Sequence, residues 1–173
     1  MRLPALSRKR QRGSAIVEFA IAGVAACTMM ISTVQLGIAM WNYHTLAYAT
    51  HETNRYIAAH GRSCTTGGNG CAITVGDIAT KFKSYASGIP ASKINMTLTT
   101  ANASYTCNPL SSYTTDTTQW PPSAHSDNWT GQPSTLTATT TINSALVAIW
   151  YGWSGQRISS VTLKSTSKVQ IVF

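Results

Sequence analysis

"GSAIVEFAIAGVAACTMMISTVQLGIAMW", residues 13–41, decides how the rest of the chain is read. From Ser14 to Trp41 the only ionisable side chains are Glu18 and Cys27, and Gln35 is the one large amide. The run exceeds the roughly 20 residues a helix needs to cross a bilayer. Arg2, Arg8, Lys9, Arg10 and Arg12 all precede it. Basic residues on that flank place residues 1–13 in the cytoplasm and the chain beyond Trp41 outside. Glu18 then poses a problem. A carboxylate at the bilayer centre costs about 2.5–3.5 kcal/mol, less near the edge, and calls for a partner.

The surrounding composition narrows what that helix can serve. The chain has 173 residues and a formal net charge of +8. With the five leading cations set aside, 8 basic residues stand against 5 acidic ones, so the body is only mildly basic. It has no Lys/Arg stripe interleaved with aromatics, which argues against nucleic-acid binding. Two other uses of an apolar N-terminal run predict different chemistry. A cleaved secretory signal needs a short apolar core and a small-residue cut site, and "AACTMMISTV" offers none. "VAAC", residues 24–27, has the look of a lipidation box ending in Cys27. Glu18 before it and the apolar "MMISTVQLGIAMW" after it argue against a lipoprotein.

No proline interrupts residues 14–60 and alanine is abundant, so one continuous helix is expected there, about 70 Å long at 1.5 Å per residue. Its second part, 42–60, is polar enough to lie outside the membrane. Leu46, Ala49, Tyr56 and Ile57 can face a core, and Gly61 suits the C-cap. "TVGDIATKFKSYASGIP", from Thr74, predicts a second short helix. Thr74 and Asp77 have the spacing of a capping box, and Ile78, Phe82 and Tyr85 share a face. Alternating patterns predict half-buried antiparallel strands at 93–99, 135–142 and 160–173. Residues 104–134 read as a long irregular loop. "LVAIWYGW", residues 146–153, reads as a core strand or pad, or as a contact surface for another subunit. The fold class is therefore α+β, with a small antiparallel sheet packed against helices.

Cys64, Cys71 and Cys107 fall in the outer part, which suits an oxidising compartment. "CTTGGNGC" closes a small glycine-rich loop, so Cys64–Cys71 is the first disulfide expected. Cys107 could displace either partner. His44 and His51 can share a helix face but have no third ligand, and no cofactor or metal set emerges. "GGNG" at 67–70 lacks the lysine and preceding strand of a phosphate loop. His125 with its serine and aspartate neighbours is loop composition, not a triad. No catalytic constellation is present, and no enzyme activity is expected.

What stands out is the order at the N-terminus: basic leader, Gly13, small Ser14, Glu18, Phe19, unbroken apolar helix. Cleavage after Gly13 would give Ser14 a free ammonium about 6 Å along the helix axis from Glu18. Copies packed side by side could then pair one chain's carboxylate with the next chain's amine, in a medium where Coulomb attraction is strong. Ala22 with Ala26, and Gly23 with Cys27, give small-xxx-small spacings that let helices approach closely.

"RKRQRGSAIVEFAIAG" resembles the processing site of type IV-like prepilins, and more narrowly the TadE/TadF minor pilins (pseudopilins) of tight-adherence, or Flp, pili. "TLAYATHETNRYIAAHG" resembles that family's post-membrane helix, which ends in an Arg-Tyr pair, here Arg55–Tyr56. Many relatives carry a proline several residues into the apolar run, where this chain has "IAGVAAC". The resemblance covers residues 8–61 and implies a pilin-like fold and cleavage between Gly13 and Ser14 by a prepilin peptidase. It implies assembly through Glu18 and Phe19 with other pilins and the pilus assembly machinery. It further implies a single pass through the bacterial inner membrane, with residues 42–173 outside, and a part in surface adhesion. A membrane-anchored binding module, using residues 104–134 as its contact surface, is the alternative.

Overall fold

The computed structural model describes residues 11–61, 73–142 and 160–172. Helix α1 spans Gln11–Ala58. Then come β1 (Ile73–Thr74), α2 (Val75–Tyr85), β2 (Ile94–Thr99), β3 (Ser104–Cys107), β4 (Gln119–Trp120), β5 (Pro133–Ile142) and β6 (Val161–Gln170). The chain divides into two units, residues 1–38 and 39–173. The first contains the apolar part of α1. The second holds the end of that helix and the body.

The body is built on a four-stranded antiparallel sheet of order β3-β2-β5-β6. Period-two alternation separates its two faces. Ile94, Met96 and Leu98 of β2, Cys107 of β3 and Leu136 and Ala138 of β5 are all fully buried. They share one core with Leu46, Ala49 and Ile57 of α1 and Ile78, Ala79 and Phe82 of α2. The opposite face is polar, and the register aligns it in transverse rows. Thr106, Thr97, Thr137 and Thr166 form one row across all four strands. Ser104, Thr99, Thr135 and Lys168 form the next. Asn95, Thr139 and Lys164 form a third across β2, β5 and β6.

Helix α2 begins at a complete capping box. Thr74 accepts from the Asp77 N–H (3.1 Å), and the Asp77 carboxylate accepts from the Thr74 N–H (2.9 Å). These bonds satisfy donors that every helix start leaves open. They also hold the Asp77 carboxyl below its usual range, the backbone bond from Thr74 contributing most. Gly76 is required here. A Cβ at this position would lie 2.7 Å from the Asp116 carbonyl oxygen and 3.0 Å from the Thr114 carbonyl oxygen. That close approach lets Val75 N–H reach Thr118 O (2.8 Å) and Gly76 N–H reach Asp116 O (2.9 Å). Across the helix pair, Tyr48 meets Tyr85 edge-on at 6.1 Å, and Lys81 Nζ lies over the Tyr56 ring at 5.5 Å.

Two expectations change. Helix α1 ends at Ala58, and the chain turns through Ala59 before Gly61. Residues 104–134 are not irregular throughout. They open with β3, which extends the sheet, and contain β4, which pairs with β1 through Ile73↔Trp120 and Thr74↔Gln119. A short 3-10 turn at Leu110–Tyr113 lies between these strands, and another at Ala124–Ser126 follows β4. Two aspartates fasten the segment. Asp127, fully buried, accepts from Thr100 Oγ1 (2.6 Å) and Asn102 Nδ2 (2.7 Å). Asp116 accepts from the Thr118 N–H (2.8 Å) and the Tyr105 hydroxyl (2.5 Å). Side chains that turn inward to bond backbone and hydroxyl groups make a compact, packed segment from a sequence that reads as merely polar. Cys64, Cys71 and residues 146–153 lie outside the described residues.

Candidate functional site: the N-terminal helix and its junction with the sheet

The apolar part of α1 exposes side chains that water does not favour. Phe19 is 81% exposed, Ile16 71%, Val24 67% and Val34 63%. Contiguous exposed apolar surface on this scale marks an interaction or membrane surface. The helix is long and apolar enough to cross a membrane. Three of its hydroxyls are compatible with hydrocarbon because each is bonded within the helix. Thr28 Oγ1 donates to Ala25 O (2.8 Å), Ser32 Oγ to Thr28 O (2.7 Å) and Thr33 Oγ1 to Met29 O (2.9 Å). A polar group satisfied in this way avoids the penalty of an unpaired donor in lipid.

Gly13 and Ser14 lie in the first turns of α1, and Glu18 lies one helical turn beyond Ser14 on the exposed surface. Phe19 follows, outward-facing. A Cβ at Gly23 would meet nothing within 4 Å, so its small size leaves an open notch in the helix surface. Cys27 is exposed and carries a free thiol, and α1 runs through it without interruption. Trp41, 69% exposed, closes the apolar run. An indole at that point suits a membrane–water interface.

Beyond Trp41 the same helix is bound into the body by polar contacts. Leu46, Ala49, Thr50, Thr53, Asn54, Ile57 and Ala58 form a stripe at three- and four-residue spacing, and all are buried. Asn54 is the centre of it. Its Nδ2 donates to Ser167 O (2.8 Å), and also lies 3.3 Å from Ser134 O and from Ser167 Oγ. Its Oδ1 accepts from Ser134 Oγ at 3.3 Å. One amide thus joins α1 to both β5 and β6. Farther along, Val172 N–H donates to Ala58 O (3.0 Å), tying the chain after β6 to the last carbonyls of α1. Sequence reading placed Leu46, Ala49 and Ile57 toward the core and missed Asn54. The signal was its place in the i, i+4 series Leu46, Thr50, Asn54, Ala58.

The titratable groups of the body serve the fold. Asp116 is held below its usual range by hydrogen bonds from Thr118 and Tyr105, and the same bond pushes the Tyr105 hydroxyl up. At Asp127 burial would raise the carboxyl, but bonds from Thr100 and Asn102 outweigh it and the net shift is downward. Burial pushes the Cys107 thiol up to about 11, so it is a protonated core side chain at neutral pH. His51 pairs with Glu52 at 3.7 Å, and Arg55 with the same carboxylate at 3.3 Å. Among the described residues no group of three or more His, Cys, Asp or Glu is placed to hold a metal ion.

The chain thus sets one long helix, apolar enough to cross a membrane and with one carboxylate near its start, before an α+β body. Residues 13–55 match the family described as TadE-like protein. That segment lies within α1 and leaves the sheet unmatched; over it the chain is similar to the family, in agreement with the resemblance carried by "RKRQRGSAIVEFAIAG". No similarity to a curated protein or to a solved structure was found.

Proposed function

We propose that the protein is a minor pilin, or pseudopilin, that takes part in assembling a tight-adherence pilus and is not an enzyme. The observation that carries this reading is the coincidence of three features at one place. The family match begins at Gly13, the helix from there exposes an apolar surface, and that surface bears the acidic side chain of Glu18. A prepilin peptidase hydrolyses the Gly13–Ser14 peptide bond. The new Ser14 ammonium and the Glu18 carboxylate then stand one turn apart on every copy. In the membrane, the carboxylate of one chain pairs with the ammonium of its neighbour, in register, while Phe19 and the aliphatic side chains pack between helices. The N-terminus is cytoplasmic before cleavage, the helix crosses the inner membrane, and residues 42–173 lie on the outer side. A contribution to surface adhesion follows from presence in, or priming of, the fibre.

The test is the N-terminal sequence and mass of the mature chain recovered from native cells. A start at Ser14 supports the proposal. A retained leader, or a diacylglycerol-bearing start at Cys27, overturns it. With cleavage established, Glu18→Ala should leave processing intact and abolish pilus formation, with piliation counted by electron microscopy. Unchanged piliation in that variant would remove the pairing step.

A further inference from the structure

We infer that the outer face of the four-stranded sheet is a binding surface for an acidic polysaccharide, a ligand class the assembly role does not require. Three observations carry it. The first is chemical uniformity. The three transverse rows described above present threonine, serine, asparagine and lysine, with no aliphatic or aromatic side chain among them. The second is order. Neighbouring strands lie about 4.8 Å apart and alternate residues about 6.8 Å apart, so the hydroxyls form a regular two-dimensional array. Thr137 Oγ1 and Thr166 Oγ1 are hydrogen-bonded across β5 and β6 at 3.2 Å, which fixes two of them relative to each other. The third is charge. Lys164 and Lys168 are exposed on the β6 side, about 14 Å apart along the strand. The chain has 5 acidic residues, and none falls on this face.

Charge complementarity therefore selects an anionic partner, and the surface chemistry selects among anions. Among the described residues of these rows a bilayer would meet no apolar side chain to insert, and two cations make a weak membrane attachment. On the same described rows a nucleic acid would meet no aromatic for base stacking. An extended glycan bearing carboxylates at intervals and hydroxyls between them matches the pattern of separated lysines over a hydroxyl array. Each hydroxyl contact replaces one with water and is individually weak. A polymer engages many at once, and effective concentration turns weak contacts into useful avidity.

The test uses the full chain in a sugar-free, nonionic detergent, with polygalacturonate as the probe and its fully methyl-esterified form as the neutral control. Binding is read by isothermal titration calorimetry at low salt. The expected result is binding to the acidic polymer alone. The Lys164→Gln/Lys168→Gln variant should weaken it about tenfold, the effect of two exposed charge contacts. Thr97→Val/Thr137→Val keeps the β-branched shape, removes two hydroxyls, and should weaken it further with an unchanged circular dichroism spectrum. Equal affinity for polyglutamate, or for vesicles containing phosphatidylglycerol, overturns the inference in favour of bare charge. So does binding that the lysine variant retains. The uncleaved chain should bind as well as the mature one, so failure of this inference is separable from failure of the assembly proposal.

Discussion

Replacing Asn54 by alanine should loosen the end of α1 from the sheet, and the structure sets the size of the effect. Asn54 is fully buried and makes one short bond, to Ser167 O at 2.8 Å, with three longer contacts at 3.3 Å. A net hydrogen bond is worth about 0.5–1.5 kcal/mol, and a buried partner left unsatisfied costs about 1–3 kcal/mol. The short bond should contribute at the upper end and the longer contacts little. Loss of the amide also leaves a void between helix and strands, which adds to the penalty. The sum for Asn54→Ala is about 2–4 kcal/mol. For a domain of this size that lowers Tm by roughly 6–15 °C. The assay is thermal unfolding of the full chain in neutral detergent, followed by far-ultraviolet circular dichroism. Asn54→Asp provides the control: it keeps the volume but replaces the donor with an acceptor facing Ser134 and Ser167 carbonyls. It should be at least as destabilising at neutral pH and should recover in part on acidification. A loss below about 0.5 kcal/mol in the alanine variant, less than one net hydrogen bond, would refute the idea that this amide clamps α1 to β5 and β6.

Two other positions make equally direct claims. Gly76→Ala should destabilise by about 1–3 kcal/mol, the usual penalty of overpacking, because the added Cβ meets Asp116 and Thr114 backbone rather than a movable side chain; an unchanged urea midpoint would show that the contact yields freely. Asp77, Asp116 and Asp127 all have carboxyls held below their usual range. In the unfolded chain these groups take up protons at higher pH than in the folded one, so their stabilisation is complete above about pH 4 and is lost as pH falls through the folded values. Urea midpoints should therefore fall steadily below about pH 4, and Asp127→Asn should flatten part of that decline; identical acid profiles for the two proteins would count against Asp127 as a fastener.

How far the sequence reveals this architecture differs from element to element. The apolar run, the capping box at Thr74 and Asp77, and the alternation of β2 and β5 were all legible, because each has a local physical cause. The buried face of α1 beyond Trp41 was only half legible. Thr50, Thr53 and Asn54 are polar and buried, so they blur the apolar stripe that marks an amphipathic helix. Burial there depends on partners 80 and more residues away, such as Ser134 and Ser167. The same holds for residues 104–134. Their serine- and threonine-rich composition reads as a loop, while Asp116 and Asp127 turn that polarity inward and let β3 join the sheet. At the N-terminus the reverse is true. The spacing from Gly13 to Glu18 was plain, and the role we propose for it rests on contacts between molecules rather than on the fold of one.

Three hydroxyls along the apolar part of α1, those of Thr28, Ser32 and Thr33, donate to carbonyls of their own helix. Their protons are thus already placed, and at those three positions a neighbouring helix would be offered only an acceptor oxygen among methyl and methylene groups. Under the assembly reading we propose, axial alignment between adjacent copies then falls chiefly to the acidic residue near the start of the run. A fibre built on such helices would slide readily during assembly and take its axial register largely from that charge.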